Sequence, residues 1–158
     1  MKARSISDIR KELTTLKKEE VITMCLKLSK FSTQNKEILS YLLFYSELEK
    51  EFLIEVKDEI SADFNSITNN NAYFIKKTIR KILRYIQKYS KYCSSKDIEV
   101  EIRLHFCKIF SEKGFLKLKD QVIQNIYQRE ISKIEKCISM LHEDLQYDYT
   151  VELELIII

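Results

Sequence analysis

Seven lysine and arginine side chains lie close together in the stretch KKTIRKILRYIQKYSKY, residues 76–92, which contains no acidic residue. Positive charges at this density can bind phosphate groups, and nearby tyrosine rings can stack on nucleic-acid bases. On a helix that turns about 100° per residue, the basic side chains fall on one face and the main aliphatic side chains on the other. The sequence therefore predicts a face that binds a polyanion or a partner. Its members are Lys76, Lys77, Arg80, Lys81, Arg84, Lys88 and Lys91, together with Tyr85 and Tyr92.

The segment before this stretch carries the opposite charge. Residues 33–67 have a net charge of −5 and residues 68–92 a net charge of +7, within a chain whose net charge is +3. Two helices joined by a short loop are normally antiparallel neighbours, so an acidic helix could neutralise part of the basic face. The acidic side chains in question are Glu47, Glu49, Glu51, Glu55, Asp58, Glu59 and Asp63. Three interpretations stay open: a solvated face beside the acidic helix, a nucleic-acid site, or a site for an acidic protein or an anionic membrane surface.

The two histidines offer a weaker indication of chemistry. Glu101 and His105 are four residues apart and share a helical face, a spacing that is typical of a surface hydrogen bond. His142 lies in LHEDLQYDY, which is rich in carboxylates and is typical of a solvated helix end. An enzyme built around either histidine is the third functional hypothesis, and we predict no catalytic residue.

The four cysteines, Cys25, Cys93, Cys107 and Cys137, lie far apart and include no C-x-x-C pair. This spacing predicts reduced and mostly buried thiols. A zinc site made from Cys93, Cys107 and the two histidines lacks the ligand spacing of zinc-binding motifs. The sequence therefore predicts neither a metal nor a cofactor.

Glycine and proline are almost absent, because the chain has one glycine and no proline in 158 residues. A P-loop, a dinucleotide-binding fingerprint and a nucleophile elbow all need glycines at fixed spacing, so these motifs are excluded. A chain without helix breakers predicts helices joined by short polar turns. These observations favour a non-enzymatic protein of the all-α class.

Apolar periodicity divides the chain into six or seven helices, which we expect to form antiparallel hairpins in a bundle or a short, solenoid-like stack. A break is predicted near Tyr45, and Gly114 is predicted to end a helix in the left-handed conformation. The predicted helices cover residues 6–13, 16–30, the stretch NKEILSYLLFY, an acidic segment to about Phe64, and residues 72–92, 96–113 and 117–145. The last of these carries a heptad-like seam from Tyr127 to Leu145.

The C-terminal segment has two interpretations. Apolar residues alternate from Tyr149 to Ile157, which is the period of a strand. We favour docking on the bundle or continuation of the helix, and the alternative is a homodimer in which two tails pair as edge strands. The predicted domain organisation is one helical domain, residues 1–146, followed by a tail of uncertain structure, residues 147–158.

The stretches DIRKELTTLKKEEVITMCLKLSKF, NKEILSYLLFY and LHEDLQYDY resemble a group of small uncharacterised helical proteins from Bacteroidetes-type bacteria. The similarity covers nearly the whole chain apart from the final VELELIII. The group has no known activity. The resemblance therefore implies a bacterial cytoplasmic origin and one compact domain, and it carries over no site residues.

Taken together, these features predict a cytoplasmic interaction module, a scaffold or adaptor for which a protein is the favoured partner. The N-terminal stretch is polar, and no apolar run approaches the ~18 residues of a membrane span, so no transmembrane segment is predicted. The alternative function is nucleic-acid binding through the basic face of residues 72–92.

Overall fold

The computed structural model describes residues 2–68, 71–93 and 95–157. Within these ranges the chain forms eight α-helices and one 3-10 helix and has no strand, which confirms the all-α class. None of the helices formed by these residues combines the length and apolar character that a membrane span requires. The helices are α1 (Ile6–Thr15), α2 (Lys18–Phe31), α3 (Thr33–Phe44), α4 (Glu49–Asn65), α5 (Ala72–Tyr92), α6 (Lys96–Glu112), the 3-10 helix (Phe115–Lys117), α7 (Gln121–Ile138) and α8 (Glu143–Ile157).

The chain divides into two compact units, residues 1–46 and residues 47–158. The division falls at the break that was predicted near Tyr45, where α3 ends at Phe44. The single domain over residues 1–146 stays a prediction.

The predicted count of six or seven helices is wrong, because the expected last helix, residues 117–145, is interrupted. Asp120 caps α7 by accepting hydrogen bonds from the backbone N–H groups of Val122 and Ile123 at 3.0 and 3.2 Å, so a new helix begins there. The helix ends again at Ile138, where the N–H groups of Met140 and Leu141 bond to carbonyls only three residues back. The predicted seam is buried as far as Ile138, whereas Leu145, beyond the break, is exposed.

The favoured interpretation of the tail, docking on the bundle, is confirmed for the described residues, and the alternative of a strand is wrong for them. Residues 143–157 form α8, which contacts α6 and α7. Leu153 and Ile156, three residues apart, are buried, as expected for one face of a helix. A homodimer through the tail stays a prediction, but residues 147–157 offer it no strand edge; Ile158 lies outside the described residues.

Gly114 has the predicted left-handed conformation, with φ of 72°. It follows the C-terminus of α6, and its N–H donates to the carbonyl of Ser111 at 2.9 Å. A residue with a Cβ atom is strained at this φ, so glycine is required for the turn into the 3-10 helix.

The unit of residues 1–46 contains little core. Helices α2 and α3 contact each other, and the side chain of Asn35 bonds to the carbonyl of Leu28 at 2.9 Å. No residue of α1 or α2 is buried, and Tyr41 is the buried residue of α3. Large apolar side chains are exposed in all three helices: Ile6, Ile9, Leu13, Ile22, Met24, Leu26, Leu28, Phe31, Leu42, Leu43 and Phe44.

In the unit of residues 47–158, α6 lies at the centre of a helical bundle. It contacts α4, α5, α7, α8 and the 3-10 helix. Val100, Ile102 and Leu104 are all buried, although residues two apart point to opposite sides of a helix. Phe106 and Phe110 extend this core to aromatic rings on neighbouring elements, including Phe64 and Tyr127.

A buried ionic cluster joins α6 to α7. The guanidinium of Arg103 donates to Glu99 Oε1 at 2.8 Å from Nη2 and at 3.1 Å from Nε, and it also pairs with Glu130 on α7. All three side chains are buried. Burial opposes ionisation of Glu99, but hydrogen bonds from Lys96 and Arg103 outweigh it and hold the pKa of Glu99 below its usual value. The cluster therefore fixes the position of α7 on α6, because each buried charge would be strongly destabilising without its oppositely charged partner.

Replacing Arg103 with alanine should lower the free energy of unfolding by about 3–5 kcal/mol, because Glu99 and Glu130 would be left buried without their shared partner. Arg129, an exposed arginine on α7, supplies the matched control, and Arg129→Ala should change stability by about 0.5 kcal/mol or less. Urea denaturation followed by circular dichroism measures both. Equal effects of the two substitutions would contradict a structural role for the cluster.

Candidate nucleic-acid interface

Helix α5 has the predicted bounds of the basic segment, from Ala72 to Tyr92. The side chain of Asn71 caps it by accepting from the N–H of Tyr73 at 2.9 Å. Ile75, Ile79, Ile82 and Ile86, at steps of four, three and four residues, are buried against the core. The aliphatic face therefore fixes the rotation of α5, and the basic face points the other way.

Carboxylates from two other helices hold the edges of the basic face. Lys76 Nζ lies 2.8 Å from Asp120 Oδ2 at the start of α7, and Lys81 Nζ lies 2.7 Å from Asp63 Oδ1 on α4. The hydrogen bond from Lys76 lowers the pKa of Asp120, and the hydrogen bond to Asp63 raises the pKa of Lys81. These two lysines are therefore already neutralised by the fold.

Aromatic rings hold Lys88. Its Nζ lies 4.8 Å from the ring centre of Tyr89 and 5.2 Å from that of Tyr85, within the range of cation–π attraction. The hydroxyl of Tyr89 donates to Glu59 on α4 at 2.5 Å. The acidic helix therefore reaches this edge of α5 through Glu59 and Asp63.

The centre of the basic face is different, because Lys77, Arg80, Arg84 and Lys91 are exposed. Among residues 2–68, 71–93 and 95–157, no carboxylate lies within the ion-pair distance of 4.0 Å from any of these four. Lys77 and Lys91 lie 14 positions apart, which is about 21 Å of helix at 1.5 Å per residue. The acidic helix α4 thus leaves a row of four cations uncompensated, and we call these four residues the central row.

The tyrosines predicted to take part lie in unequal positions. Tyr92 is 6% exposed and so presents no ring at the surface, because it packs among the core residues at the end of α5. Tyr85 is half-buried beneath Lys81 and Lys88. Two rings outside the predicted set are the accessible ones: Tyr73, 66% exposed, and Phe74, 50% exposed. The available signal was the helical position of Tyr73, which falls among the basic residues of the same face.

His105 lies half-buried between α4 and α6. Its Nε2 is 3.1 Å from the carbonyl oxygen of Lys57 and 2.8 Å from Ser61 Oγ, and the Ser61 hydroxyl also bonds to that carbonyl at 2.8 Å. Because a carbonyl only accepts, Nε2 carries the proton and cannot act as a base toward Ser61. Burial and the positive charges of Lys57 and Lys108 lower the pKa of His105. They outweigh the hydrogen bond to the Lys57 carbonyl and the negative charge of Asp58, which both raise it. The imidazole joins two helices in its neutral form.

His142 and the thiols do not assemble a metal site in the part of the chain that the structure describes, where no group of three or more histidine, cysteine, aspartate or glutamate side chains is placed to hold an ion. His142 is exposed, 3.4 Å from Asp144. Cys93, Cys107 and Cys137 are buried and Cys25 is half-buried. Burial raises the pKa of Cys107 and of Cys137, which makes both thiols poor nucleophiles and poor ligands.

No family model, no curated protein and no solved structure matches this chain. The resemblance to helical proteins of Bacteroidetes-type bacteria stays a prediction. Function has to be inferred from the side chains themselves, above all from those of α5.

The neutral His105 predicts a pH dependence of stability. An unfolded imidazole has a pKa of about 6.5, and the folded value is lower, so below about pH 6.5 the unfolded state binds more protons and the free energy of unfolding falls as the pH falls. One such group contributes a slope of at most about 1.4 kcal/mol per pH unit. Urea denaturation at pH 7.5 and 5.5 measures the loss, which His105→Gln should reduce.

The matched control is His142→Gln, since the chain has two histidines and this one is exposed. This variant leaves His105 and its bonds in place, so it should keep the loss of stability that His105 causes between pH 7.5 and 5.5. The lowered pKa values of Glu99 and Asp120 act near pH 4 and below, outside this window. An unchanged loss in His105→Gln would mean that His105 is protonated equally in the folded and unfolded states.

Proposed function

We propose that the protein is a non-enzymatic macromolecular interaction module and that the macromolecule bound by α5 is a nucleic acid. The observation that carries this proposal is the central row, four exposed and uncompensated cations along about 21 Å of one helix. Charges that stabilise the fold are normally paired, as Lys76 and Lys81 are. A row of cations without ion pairs, flanked by two lysines that have them, is the pattern expected of a surface that binds a negatively charged partner.

The way in which packing and ion pairs hold α5 in position supports the same proposal. Four buried isoleucines hold the inner face of α5, and ion pairs to Asp63 and Asp120 hold its two edges. A ligand therefore meets cations on a preformed helix, and binding orders side-chain ends and leaves the backbone as it is. The arrangement of the helices in antiparallel hairpins, as a bundle or a solenoid-like stack, belongs to this proposal because it can present such a face. The cytoplasmic location belongs to it because it would bring the face into contact with a partner.

A nucleic acid suits the row better than an acidic protein surface does. Its phosphates repeat at a regular spacing, and the guanidinium groups of Arg80 and Arg84 can each bind a phosphate through two hydrogen bonds. An acidic protein presents carboxylates at irregular spacing and is held in shape by its own ion pairs. The scaffold or adaptor function with a protein partner, which the composition predicts, is the competing outcome in the experiment below.

Binding of fluorescent oligonucleotides, followed by anisotropy, tests the proposal. If the four cations each neutralise one phosphate of a single strand, the affinity should weaken about fiftyfold between 50 and 200 mM salt, a slope of about −2.8. Arg80→Glu/Arg84→Glu should lower the affinity at 50 mM salt by at least tenfold, because two attractions become repulsions.

The matched control is Arg129→Glu/Lys136→Glu, which makes the same change of charge at exposed residues of α7. This variant should keep binding within about threefold of the wild type, because it alters the net charge without altering α5. Equal losses in the two variants would reduce the effect to overall charge and contradict a site on α5. No binding of any oligonucleotide at 50 mM salt would contradict the nucleic-acid proposal and leave an acidic protein partner or a solvated face as the interpretation of the central row.

A further inference from the structure

Two accessible aromatic rings stand at the N-terminal end of the central row. Tyr73 and Phe74 form an edge-to-face pair, with ring centres 5.5 Å apart and planes at 82°. In such a pair one ring contributes an edge and the other a single face, so three of the four ring faces are left uncovered by the pair. The exposed fractions of 66% and 50% agree with this geometry. Exposed faces of this kind are what an unpaired base stacks on.

The position of Tyr73 relates the rings to the cations. On a helix turning about 100° per residue, Tyr73 falls within the arc that Lys77, Arg80, Arg84 and Lys91 occupy, and it precedes Lys77 by about one turn. Phe74 lies beside this arc and contacts Tyr73. The rings and the cations therefore form one continuous track along α5, with stacking surfaces at one end and phosphate-binding groups along the rest.

The width of the central row limits what it can follow. Its four cations lie within an arc of about 60°, which is about 6 Å on a helix whose diameter with side chains is about 10–12 Å. A duplex presents two phosphate chains on either side of grooves about 6 and 12 Å wide, so a second chain would lie over the edges of α5. Those edges offer Lys76 and Lys81, which Asp120 and Asp63 already neutralise. The track has the width of one strand.

From this geometry we infer that α5 binds single-stranded nucleic acid, with the phosphates of one strand along the central row and an unpaired base stacked on Tyr73 or Phe74. This inference rests on the proposed function and specifies its substrate. A duplex keeps its bases inside the stack and has none to give to these rings. At 3.4 Å per stacked nucleotide, the 21 Å row accommodates about six nucleotides. RNA and DNA share the chemistry that this track recognises.

The experiment compares four probes of about 12 nucleotides by anisotropy at 50 mM salt. They are a DNA strand, the RNA strand of the same sequence, a DNA strand with abasic residues in place of the bases, and the DNA duplex. The wild type should bind both intact single strands more tightly than the abasic strand and the duplex. Binding of RNA and DNA within about tenfold of each other would place the shared phosphates and bases, and not the 2′-hydroxyl, at the site.

Tyr73→Ala/Phe74→Ala should weaken binding of the intact single strands by about 5- to 150-fold, which corresponds to about 1–3 kcal/mol for one stacked base. The same variant should bind the abasic strand as the wild type does. Tyr73→Phe keeps the ring and should keep the affinity. Tyr147→Ala on α8 is the matched control, since this tyrosine is 73% exposed and lies on another helix. Circular dichroism checks that every variant is folded.

The outcomes separate this inference from the proposed function. Equal binding of intact and abasic strands, or duplex binding as tight as single-strand binding, would overturn the single-strand inference. The proposed function would survive either result if Arg80→Glu/Arg84→Glu still lowered the affinity by at least tenfold. Absence of binding by every probe would overturn both.

Discussion

Burial of most of the surface of α6 is the constraint on which the rest of the bundle of residues 47–157 depends. A helix whose opposite faces both carry isoleucine, leucine, valine and phenylalanine has to be surrounded, and α4, α5, α7 and α8 surround it. Because Arg103 lies inside this enclosure, the covering helices must also supply a carboxylate, which Glu130 of α7 does. Side chains of the four outer helices that do not contact α6 can then be exposed.

Helix α5 illustrates how this division of roles produces a surface. Its isoleucines meet the core, and its outer edges reach carboxylates of α4 and α7. Nothing in the enclosure of α6 requires Arg80 or Arg84 at the outer centre, so the charge retained there is not explained by stability. The unit of residues 1–46 differs, since its helices bury little apolar surface and expose large side chains such as Phe31 and Phe44. A hydrophobic core this small contributes little to stability.

The parts of the fold that follow from short-range patterns could be predicted from the sequence. The bounds of α5 follow from a regular aliphatic period with charges opposite, and the cap at Gly114 follows from the need for a positive φ. The break between α7 and α8 was missed because the apolar period continues across it. The strand alternative for the tail arose because Glu152 and Glu154 alternate with apolar residues, but burial selects residues three apart, which agrees with the favoured helical docking.

The same distinction between short-range patterns and long-range packing applies to the candidate site. The basic face and the position of Tyr73 within it follow from helical geometry alone. Helical geometry does not show which basic residues of the face lack an ion pair, because Lys76 pairs with a residue 44 positions away and Lys81 with one 18 positions away. Burial of Tyr92 likewise depends on packing by other elements. The bonds of His105 reach back 44 and 48 positions, to Ser61 and to the carbonyl of Lys57. Long-range pairing of this kind leaves no local signature in a sequence.

The central position of α6 also has a kinetic consequence. Its neighbours come from both sides of it in the chain, so Glu101 meets Lys57 from the preceding part and Tyr149 from the following part, 44 and 48 residues away. The chain has no proline, so its unfolded ensemble lacks the slow prolyl isomers that delay refolding by tens of seconds or more. A slow refolding phase of this chain would therefore have a cause other than prolyl isomerisation, such as the packing of the outer helices around α6.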